Sequence, residues 1–420
     1  MAAIQNNKGL RYKIMTPLRF FLNDSRATGV LLLGCTLVSV LLATFSGGSG
    51  WYTHLWSNEI PFAGSLHLPG NFLEWINNFM MAFFFLLAGM EIKRELLNGE
   101  LSSFKKAVLP FGAAFGGMLF PAIIFILFNL HSNYSHGWGI PTATDIAFSL
   151  AAASLLGKRF PVGLKILLMA LAIIDDLGAI LVIALFYGGH VNWLFLGLSG
   201  LVYGVLLACN YFKLKFGAVQ IVLGLCLWYM MLQSGIEASI TGVLFAFALP
   251  VEALGIIEKA IHRWVNFLIL PLFALANTAI LIPSDILGAL NTSIGLGVVF
   301  GLVIGKPLGI FLVSRLLVAL DIAHLPANVR WKQVFGMGTL AGIGFTMSIF
   351  TTMLAFNESA ARDISKVAIL TGVVLSLGVS YLYFRLISVR VHMPAVSMSG
   401  VAAPVLAEEQ PEPQPQLELS

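Results

Sequence analysis

The chain has 420 residues, of which 58% are hydrophobic and only 10% are charged, and its formal net charge is +4. A soluble globular protein carries about 25% charged residues, so this composition excludes a soluble protein, and the apolar excess is too large for a single anchor. Continuous apolar runs such as Thr28–Phe45 and Ala107–Leu130 argue against a β-barrel, whose strands alternate over about ten residues. We therefore expect an all-α integral membrane protein.

Windows of about twenty residues predict twelve transmembrane helices. In chain order they cover 27–46, 72–91, 107–130, 141–157, 162–187, 193–211, 217–233, 237–251, 265–282, 291–315, 333–354 and 367–388. The fourth and eleventh runs are the least regular. The first run is too long for the core of a signal peptide, so we expect it to be an uncleaved helix.

The basic residues predict the direction of these crossings. With a cytoplasmic N-terminus, 21 of the 24 lysines and arginines fall in inner loops or at inner helix ends. Only Arg362 and Lys366 fall outside, and Lys306 stays within the membrane. We therefore expect both ends of the chain to be cytoplasmic. Residues 1–392 would form one transmembrane domain, and residues 393–420, rich in Pro, Glu and Gln, would form a disordered cytoplasmic tail.

Few ionisable side chains lie well inside the predicted crossings. They are Asp145 in the fourth run, the adjacent Asp175 and Asp176 in the fifth, and Lys306 in the tenth. Each charge near the bilayer centre costs roughly 2.5–3.5 kcal/mol on insertion scales, so such groups rarely serve stability alone. A structural reading stays open for each, since Lys306 could snorkel, Asp145 could cap a helix and the aspartates could join a salt bridge. We interpret the aspartate pair as a site that binds cations and protons in turn.

Two of the predicted crossings contain segments that are poor helix formers. Residues 141–145, Pro-Thr-Ala-Thr-Asp, combine a proline with three polar side chains, and residues 336–346 contain four glycines. The glycines alone would favour close helix packing. Together, the two segments favour interrupted helices at matching places in two halves, which is the expected mark of a transporter binding site. If the half-helices meet, Asp145 and Lys306 are available to balance their dipoles.

The sequence offers no support for nucleotide or cofactor chemistry. Gly301 to Lys306 resembles a phosphate-binding loop only superficially, because one residue is missing and Pro307 replaces the required Ser or Thr. The eight histidines lie in loops and at run ends, and the three cysteines have no metal-binding spacing. We expect no cofactor, no nucleotide and no nucleic-acid partner.

Several motifs resemble those of the NhaA family of sodium/proton antiporters. They are ALAIIDDLGAILVIALFY at 170–187, PTATDIAFSL at 141–150, LVIGKPLGI at 302–310, AGIGFTMSIF at 341–350, FFFLLAGMEIKREL at 83–96 and LILPLFALAN at 268–277. The resemblance covers about residues 15–390. It implies inverted repeats with discontinuous fourth and eleventh helices, and this family is itself a known example of such inverted repeats.

The resemblance also implies a role for each matching residue. Asp176 would be the main ligand of a transported Na⁺ or Li⁺, and Asp175 its partner in proton exchange and in a salt bridge with Lys306. Thr144 would assist at the ion site, while Asp145 and Lys306 would balance the half-helices. A cytoplasmic funnel that tunes the pH response would contain Glu91, Arg94, Glu95 and Glu258. Family members are homodimers of the bacterial inner membrane, and their exchange is electrogenic.

Two departures from the family pattern concern pH sensing. Glu237 stands where the family pattern has histidine, and the charged segment between the eighth and ninth runs is shortened to Glu252–His262. The pH dependence of exchange in the family therefore cannot be transferred to this chain. An intramembrane aspartyl protease, a cation channel and a sodium-coupled symporter are the alternative functions. The protease is disfavoured because neighbouring residues on a helix point about 100° apart and would hardly share a proton.

Overall fold

The computed structural model describes residues 25–47, 50–61, 63–99, 101–189, 191–281 and 285–387. The predicted tail at 393–420 lies outside these ranges, as do the basic residues that precede Ser25. Within the described ranges, the only β pairing is one antiparallel bridge between Glu59 and Asn71. The expected all-α class is therefore confirmed.

Eighteen α-helices account for most of the described residues. In the first half of the chain they are α1 (Ser25–Ser46), α2 (Trp51–Ser57), α3 (Phe72–Trp75), α4 (Met81–Asn98), α5 (Phe104–Phe128), α6 (Ile146–Leu155), α7 (Val162–Phe186) and α8 (Trp193–Tyr211). In the second half they are α9 (Ala218–Ser234), α10 (Thr241–Ala248), α11 (Val251–Trp264), α12 (Leu270–Asn277), α13 (Ile286–Leu290), α14 (Ser293–Phe300), α15 (Lys306–Ala319), α16 (Trp331–Ala341), α17 (Phe345–Ala355) and α18 (Ser359–Leu386).

Shorter helical turns connect or precede several of these helices. The 3₁₀ turns are Gly64–Leu66, Ser135–Thr142, Gly157–Arg159 and Ala238–Ile240. The π-helical turns are Ile76–Met80, Val265–Ile269 and Gly301–Gly305, and each lies inside one long helical stretch. Single π-turns inside α-helices are frequent at functional sites.

Eight helical stretches among the described residues are long and apolar enough to cross a membrane, and α16 with α17 makes a ninth if that bent pair counts as one. The predicted runs at 141–157, 217–233 and 237–251 correspond to the shorter apolar helices Ile146–Leu155, Ala218–Ser234 and Ala238–Ala248. The chain is thus a multi-pass, all-α membrane protein, and the number twelve stays a prediction.

Two helices begin earlier than the hydropathy windows predict. The segment Glu252–His262 is not a loop, because α11 covers Val251–Trp264 and continues into α12. Glu252 lies in its first turn and His262 and Arg263 in its last, which suits the helix dipole, although the charges of this helix lower the mean hydropathy. Likewise α18 begins at Ser359, so Arg362 and Lys366 lie on the helix and not in a loop.

Helix α7 lies at the centre of the bundle and carries Asp175 and Asp176. Two-thirds of the residues in its most apolar stretch are buried inside the protein. This matches its sequence, which is hydrophobic on nearly every face. Beside it, α5 and α15 cross so closely that a Cβ added to Gly309 would lie 2.0 Å from the carbonyl oxygen of Gly116.

Candidate functional site

Two non-helical segments meet beside α7. One is Ala143–Asp145, between the 3₁₀ turn and α6, and the other is Gly342–Gly344, between α16 and α17, which are bent by 49°. The amide of Asp145 donates to the carbonyl oxygen of Ile343 at 2.7 Å, so the backbones are joined directly. A side chain at Gly344 would not fit, because a Cβ there would lie 2.7 Å from the Ala143 oxygen.

Asp145 caps two helices that begin at this junction. Its Oδ1 accepts from the amide of Phe148 at 3.0 Å, in the first turn of α6. Its Oδ2 accepts from the Thr346 amide at 3.1 Å and from the Thr346 hydroxyl at 2.6 Å, in the first turn of α17. A carboxylate at a helix N-terminus satisfies unpaired amides and complements the positive end of the dipole. One side chain therefore compensates both N-termini.

Lys306 and Asp175 form a fully buried ion pair, and Thr144 lies between them and the junction. The Lys306 Nζ donates to Asp175 Oδ2 and, at 2.8 Å, to the Thr144 hydroxyl oxygen. That hydroxyl lies 2.6 Å from Asp175 Oδ2 and 2.8 Å from the carbonyl oxygen of Ala341, the last residue of α16. Thr144 thus links the lysine charge to the C-terminal end of a helix, which favours a nearby cation.

The local structure around Lys306 explains how a lysine comes to lie at 0% exposure. The π-turn Gly301–Gly305 precedes it within one continuous helical stretch, and it is followed by Pro307, which has no amide to donate within the helix. Gly305 packs against Pro121, and a Cβ at Gly305 would lie 2.9 Å from the Pro121 Cα. This close approach of α15 to α5 directs the lysine toward α7 and away from lipid.

Asp176 lies at the bottom of a cavity of about 400 Å³ that is open at one end of the bundle. Thr144, Asp145 and Thr346 also line its inner part. Among the other polar lining residues, those that are partly or fully exposed are Glu91, Arg94, Glu95, His262 and Asn266. Asp175 is not among the lining residues. The two aspartates therefore have different surroundings, as the 100° rotation between successive helical residues requires.

Each of the two aspartates keeps one buried oxygen without a protein partner. These atoms are Asp175 Oδ1 and Asp176 Oδ1. Buried carboxylate oxygens are normally paired, because an isolated charge is costly to desolvate. The arrangement suits an occupant that comes and goes, namely a proton or a small cation with oxygen ligands.

The predicted funnel residues lie along the path to Asp176. Glu91, Arg94 and Glu95 follow one another on α4, and Arg94 Nη1 reaches both Glu258 oxygens on α11, at 2.6 and 2.7 Å. The Arg94 side chain is half exposed, so this bridge holds the two helices together weakly. Glu258 joins the funnel through this bridge and does not line the cavity.

Sequence reasoning missed several residues that build the site. Thr346 lies at the end of the glycine-rich segment 336–346, and its pairing with Asp145 has no local sequence signal. Ser149 donates to the Leu340 carbonyl at 3.0 Å, which adds a second link between the two interrupted regions. Lys93, which follows the predicted run 72–91, is buried on α4 and donates to the Phe247 carbonyl at 2.8 Å at the end of α10. No pattern around Lys93 in the sequence indicates this capping role.

Comparison with known proteins agrees with the resemblance that the sequence motifs indicate. The sequence model described as Na⁺/H⁺ antiporter 1 matches residues 19–384. The chain is 47% identical over 377 residues to Na⁺/H⁺ antiporter NhaA 2 of Flavobacterium johnsoniae, covering 88% of this chain and 91% of that protein.

Two further relatives cover slightly more of the chain. Na⁺/H⁺ antiporter NhaA 2 of Clostridium beijerinckii is 42% identical over 390 residues, which is 90% of this chain and 96% of that protein. Na⁺/H⁺ antiporter NhaA of Salmonella arizonae is also 42% identical, over 90% of this chain and 99% of its own length.

Proposed function

The chain belongs to the Na⁺/H⁺ antiporter 1 family, and from this premise we propose that it exchanges Na⁺ or Li⁺ for protons across a bacterial inner membrane. Membership confirms the resemblance drawn from the motifs. The relatives are named antiporters, so the chain is a transporter and not an enzyme. The proposed exchange is electrogenic and uses the inward proton gradient to expel the cation.

The observation that carries the proposal is the position of Asp176. Its carboxylate is buried, lies at the inner end of the cavity and has one oxygen without a protein partner. The Thr144 hydroxyl and the carbonyl groups of the two non-helical segments are further oxygen ligands nearby. Small hard cations prefer such oxygen ligands.

Competition between a cation and protons for the same carboxylates would couple the two fluxes. Buried carboxylates close to one another favour protonated forms, so a proton replaces the cation when it leaves. Asp176 would hold the cation, and Asp175, paired with Lys306, would supply a second titratable position. Coupled groups of this kind titrate as one unit. Two proton positions for one cation are what electrogenic exchange requires.

Alternating access would follow from movement of the two interrupted regions around a fixed site. We propose that 135–155 and 331–355 are the discontinuous fourth and eleventh crossings of two inverted repeats. On the side away from the cavity, the Tyr187 hydroxyl donates to the His136 carbonyl at 2.7 Å and accepts from the Gly139 amide at 3.0 Å. These bonds would hold the outer half-helix closed while the cavity is open.

The same end of the bundle carries the cavity mouth and the basic helix ends. Lysines and arginines concentrate on the cytoplasmic side of membrane proteins. We therefore propose that the cavity opens to the cytoplasm, that both chain ends lie there, and that the twelve-helix protomer forms a homodimer. Glu91, Arg94, Glu95 and Glu258 would adjust access to Asp176 as the cytoplasmic pH changes.

Glu237 gives a specific prediction about pH. It lies in the connection between α9 and the turn Ala238–Ile240, and burial raises the pKa of its carboxyl to about 7 against an opposing effect of hydrogen bonds from Ser239. Because the folded-state pKa exceeds the usual value of 4.5, the folded protein binds the extra proton between these pH values. The stability that the protonated Glu237 carboxyl contributes is thus fully present below pH 4.5 and is lost as the pH rises through about 7.

Replacing Glu237 with Gln, which mimics the protonated form, should remove this dependence. We expect the variant to be more stable than the wild type at pH 8, by on the order of 1–3 kcal/mol, and equally stable at pH 4.5. Thermal unfolding in detergent across this pH range measures the difference in stability between the variant and the wild type. The exposed Glu59→Gln variant is the control, and identical pH slopes for wild type and Glu237→Gln would contradict the prediction.

Reconstitution tests the proposed function itself. Wild-type protein in liposomes that contain a pH-sensitive dye should raise the internal pH when Na⁺ or Li⁺ is added outside, because cations enter and protons leave. Added K⁺ should have no such effect. Absence of any pH change with Na⁺ and Li⁺ would contradict the proposal.

The alternative functions give different results in simple assays. A channel would pass currents far larger than an alternating cycle can sustain, and the fully buried Lys306 beside the site disfavours cation conduction. A symporter would need a second, organic substrate to drive cation movement. A protease would require two carboxylates that share a proton, whereas Asp175 is paired with Lys306.

A further inference from the structure

A second cavity, separate from the ion site, lies at the end of the bundle that carries the funnel mouth. It encloses about 330 Å³ between the first turns of α5 and α7 and the connection that follows α15. Lys105 and Lys106 from α5 and His324 from the connection line it. All three side chains are exposed, and no carboxylate belongs to the described residues that line this cavity.

The backbone adds to the positive character of this cavity. Helices α5 and α7 each have 25 residues, and both begin here. Neither N-cap residue caps its own helix with a side chain, since Ser103 makes no such bond and Pro161 has no polar side-chain atom. Two positive dipole ends therefore point to the same place as two lysines.

The deeper walls of the cavity are apolar and continue into the surface that faces lipid. Pro110, Leu167 and Ala170 line the inner part. Ile166 lines the cavity as well, and it is 39% exposed on the outside of the bundle. Phe104, in the first turn of α5, is 83% exposed. A ligand that fits would combine an anionic group with an apolar chain along the bundle.

We propose that this cavity, which we name the basic cavity, binds the headgroup of an anionic phospholipid. Lys105, Lys106 and the first-turn amides of the two helix ends would hold the phosphate, and an acyl chain would lie against Ile166. Basic pockets between transmembrane helices on the cytoplasmic side commonly bind such headgroups. A free phosphate would use the same cations but would gain nothing from the apolar wall.

The position of the basic cavity gives the lipid a route to influence transport. Ala170 lies five residues before Asp175 on α7. The wall on the other side belongs to α5, whose Gly116 and Pro121 pack against Gly309 and Gly305. Lipid in this cavity would brace α7 and α5 at one end. We expect it to stabilise the folded protein by mass action.

The test uses full-length protein purified in detergent and intact-protein mass spectrometry to count bound lipid. Dioleoylphosphatidylglycerol should bind, while dioleoylphosphatidylcholine, which has the same acyl chains, should bind at least about 10-fold more weakly. The variant Lys105→Gln with Lys106→Gln should weaken binding of dioleoylphosphatidylglycerol by about 10-fold or more, whereas arginines at both positions should retain it.

A matched control separates the basic cavity from general charge effects. The variant Lys259→Gln with Arg263→Gln removes two exposed charges from α11, which does not line the basic cavity, and it should bind lipid as the wild type does. The proposal is overturned if both double variants lose binding equally, if the two lipids bind equally, or if millimolar inorganic phosphate displaces the lipid completely. If the double variant Lys105→Gln with Lys106→Gln fails to fold, the single variant Lys105→Gln is tested instead. It should bind dioleoylphosphatidylglycerol about 3-fold or more weakly than the wild type, and unchanged binding would overturn the proposal.

Discussion

Replacing Asp176 with Asn is expected to abolish sodium-dependent proton movement in everted membrane vesicles, while the protein remains folded. Asparagine is isosteric but carries neither the charge that attracts a cation nor the proton that must replace it. The Asp176 carboxylate lies at the inner end of the cavity and has a buried oxygen without a protein partner, so it can take up an ion there. Asp145 lines the cavity too, but its oxygens are already bonded at two helix ends.

The control for this variant is Asp321→Asn. Asp321 is exposed and has a φ of 54°, a left-handed conformation that asparagine adopts readily. The Asp321→Asn variant makes the same chemical change outside the ion site and should keep full transport. The decisive comparison is the dequenching of a pH-sensitive dye when Na⁺ is added to each type of vesicle. Transport by Asp176→Asn at the wild-type rate would refute the assignment of the site.

Replacing Lys306 with Ala is expected to destabilise the protein strongly, by about 3–5 kcal/mol. The change leaves the buried Asp175 carboxylate without its ion pair and removes the cation that Thr144 links to the end of α16. It also leaves a cavity where α15 meets α5 and α7. Thermal unfolding in detergent should show the loss, and the ratio of Na⁺ to Li⁺ activity should change little in whatever transport remains.

A double variant distinguishes the loss of the ion pair from a general packing defect. Lys306→Met with Asp175→Asn removes both charges and keeps much of the volume. Replacing a buried pair by uncharged groups is often neutral, so the double variant should recover much of the stability that Lys306→Met alone loses. Transport should remain absent in it. If the losses of the two single variants simply add, the pair does not contribute as proposed.

The sequence predicts the long buried helices well and the amphipathic ones poorly. The run 162–187 coincides with α7 because an almost uninterrupted apolar stretch has one stable form in a membrane. In contrast, α11 carries charges on one face, so a hydropathy window places a loop where the structure has a helix. The π-turns also escape prediction, because they depend on contacts with neighbouring helices.

For the site, residue types are predictable but partners are not. A charged residue inside an apolar run stands out because placing a charge in the membrane is energetically unfavourable. Four residues could be identified in this way: Asp145, Asp175, Asp176 and Lys306. The bond between Asp145 and Thr346 joins residues 201 positions apart, and no local pattern encodes it. Without the family resemblance, the sequence also leaves the roles of the two adjacent aspartates undecided. The structure distinguishes them, since Asp175 faces Lys306 and Asp176 faces the cavity.

The central claim is that a cation and protons compete for the same pair of carboxylates. Calorimetric titration of the purified protein with NaCl, repeated in buffers of different ionisation enthalpy, measures proton release directly. We predict that Na⁺ binding releases protons near neutral pH, that its affinity falls as the pH falls, and that Asp176→Asn shows neither effect. Sodium binding without proton release at every pH, or unchanged binding by Asp176→Asn, would contradict the mechanism.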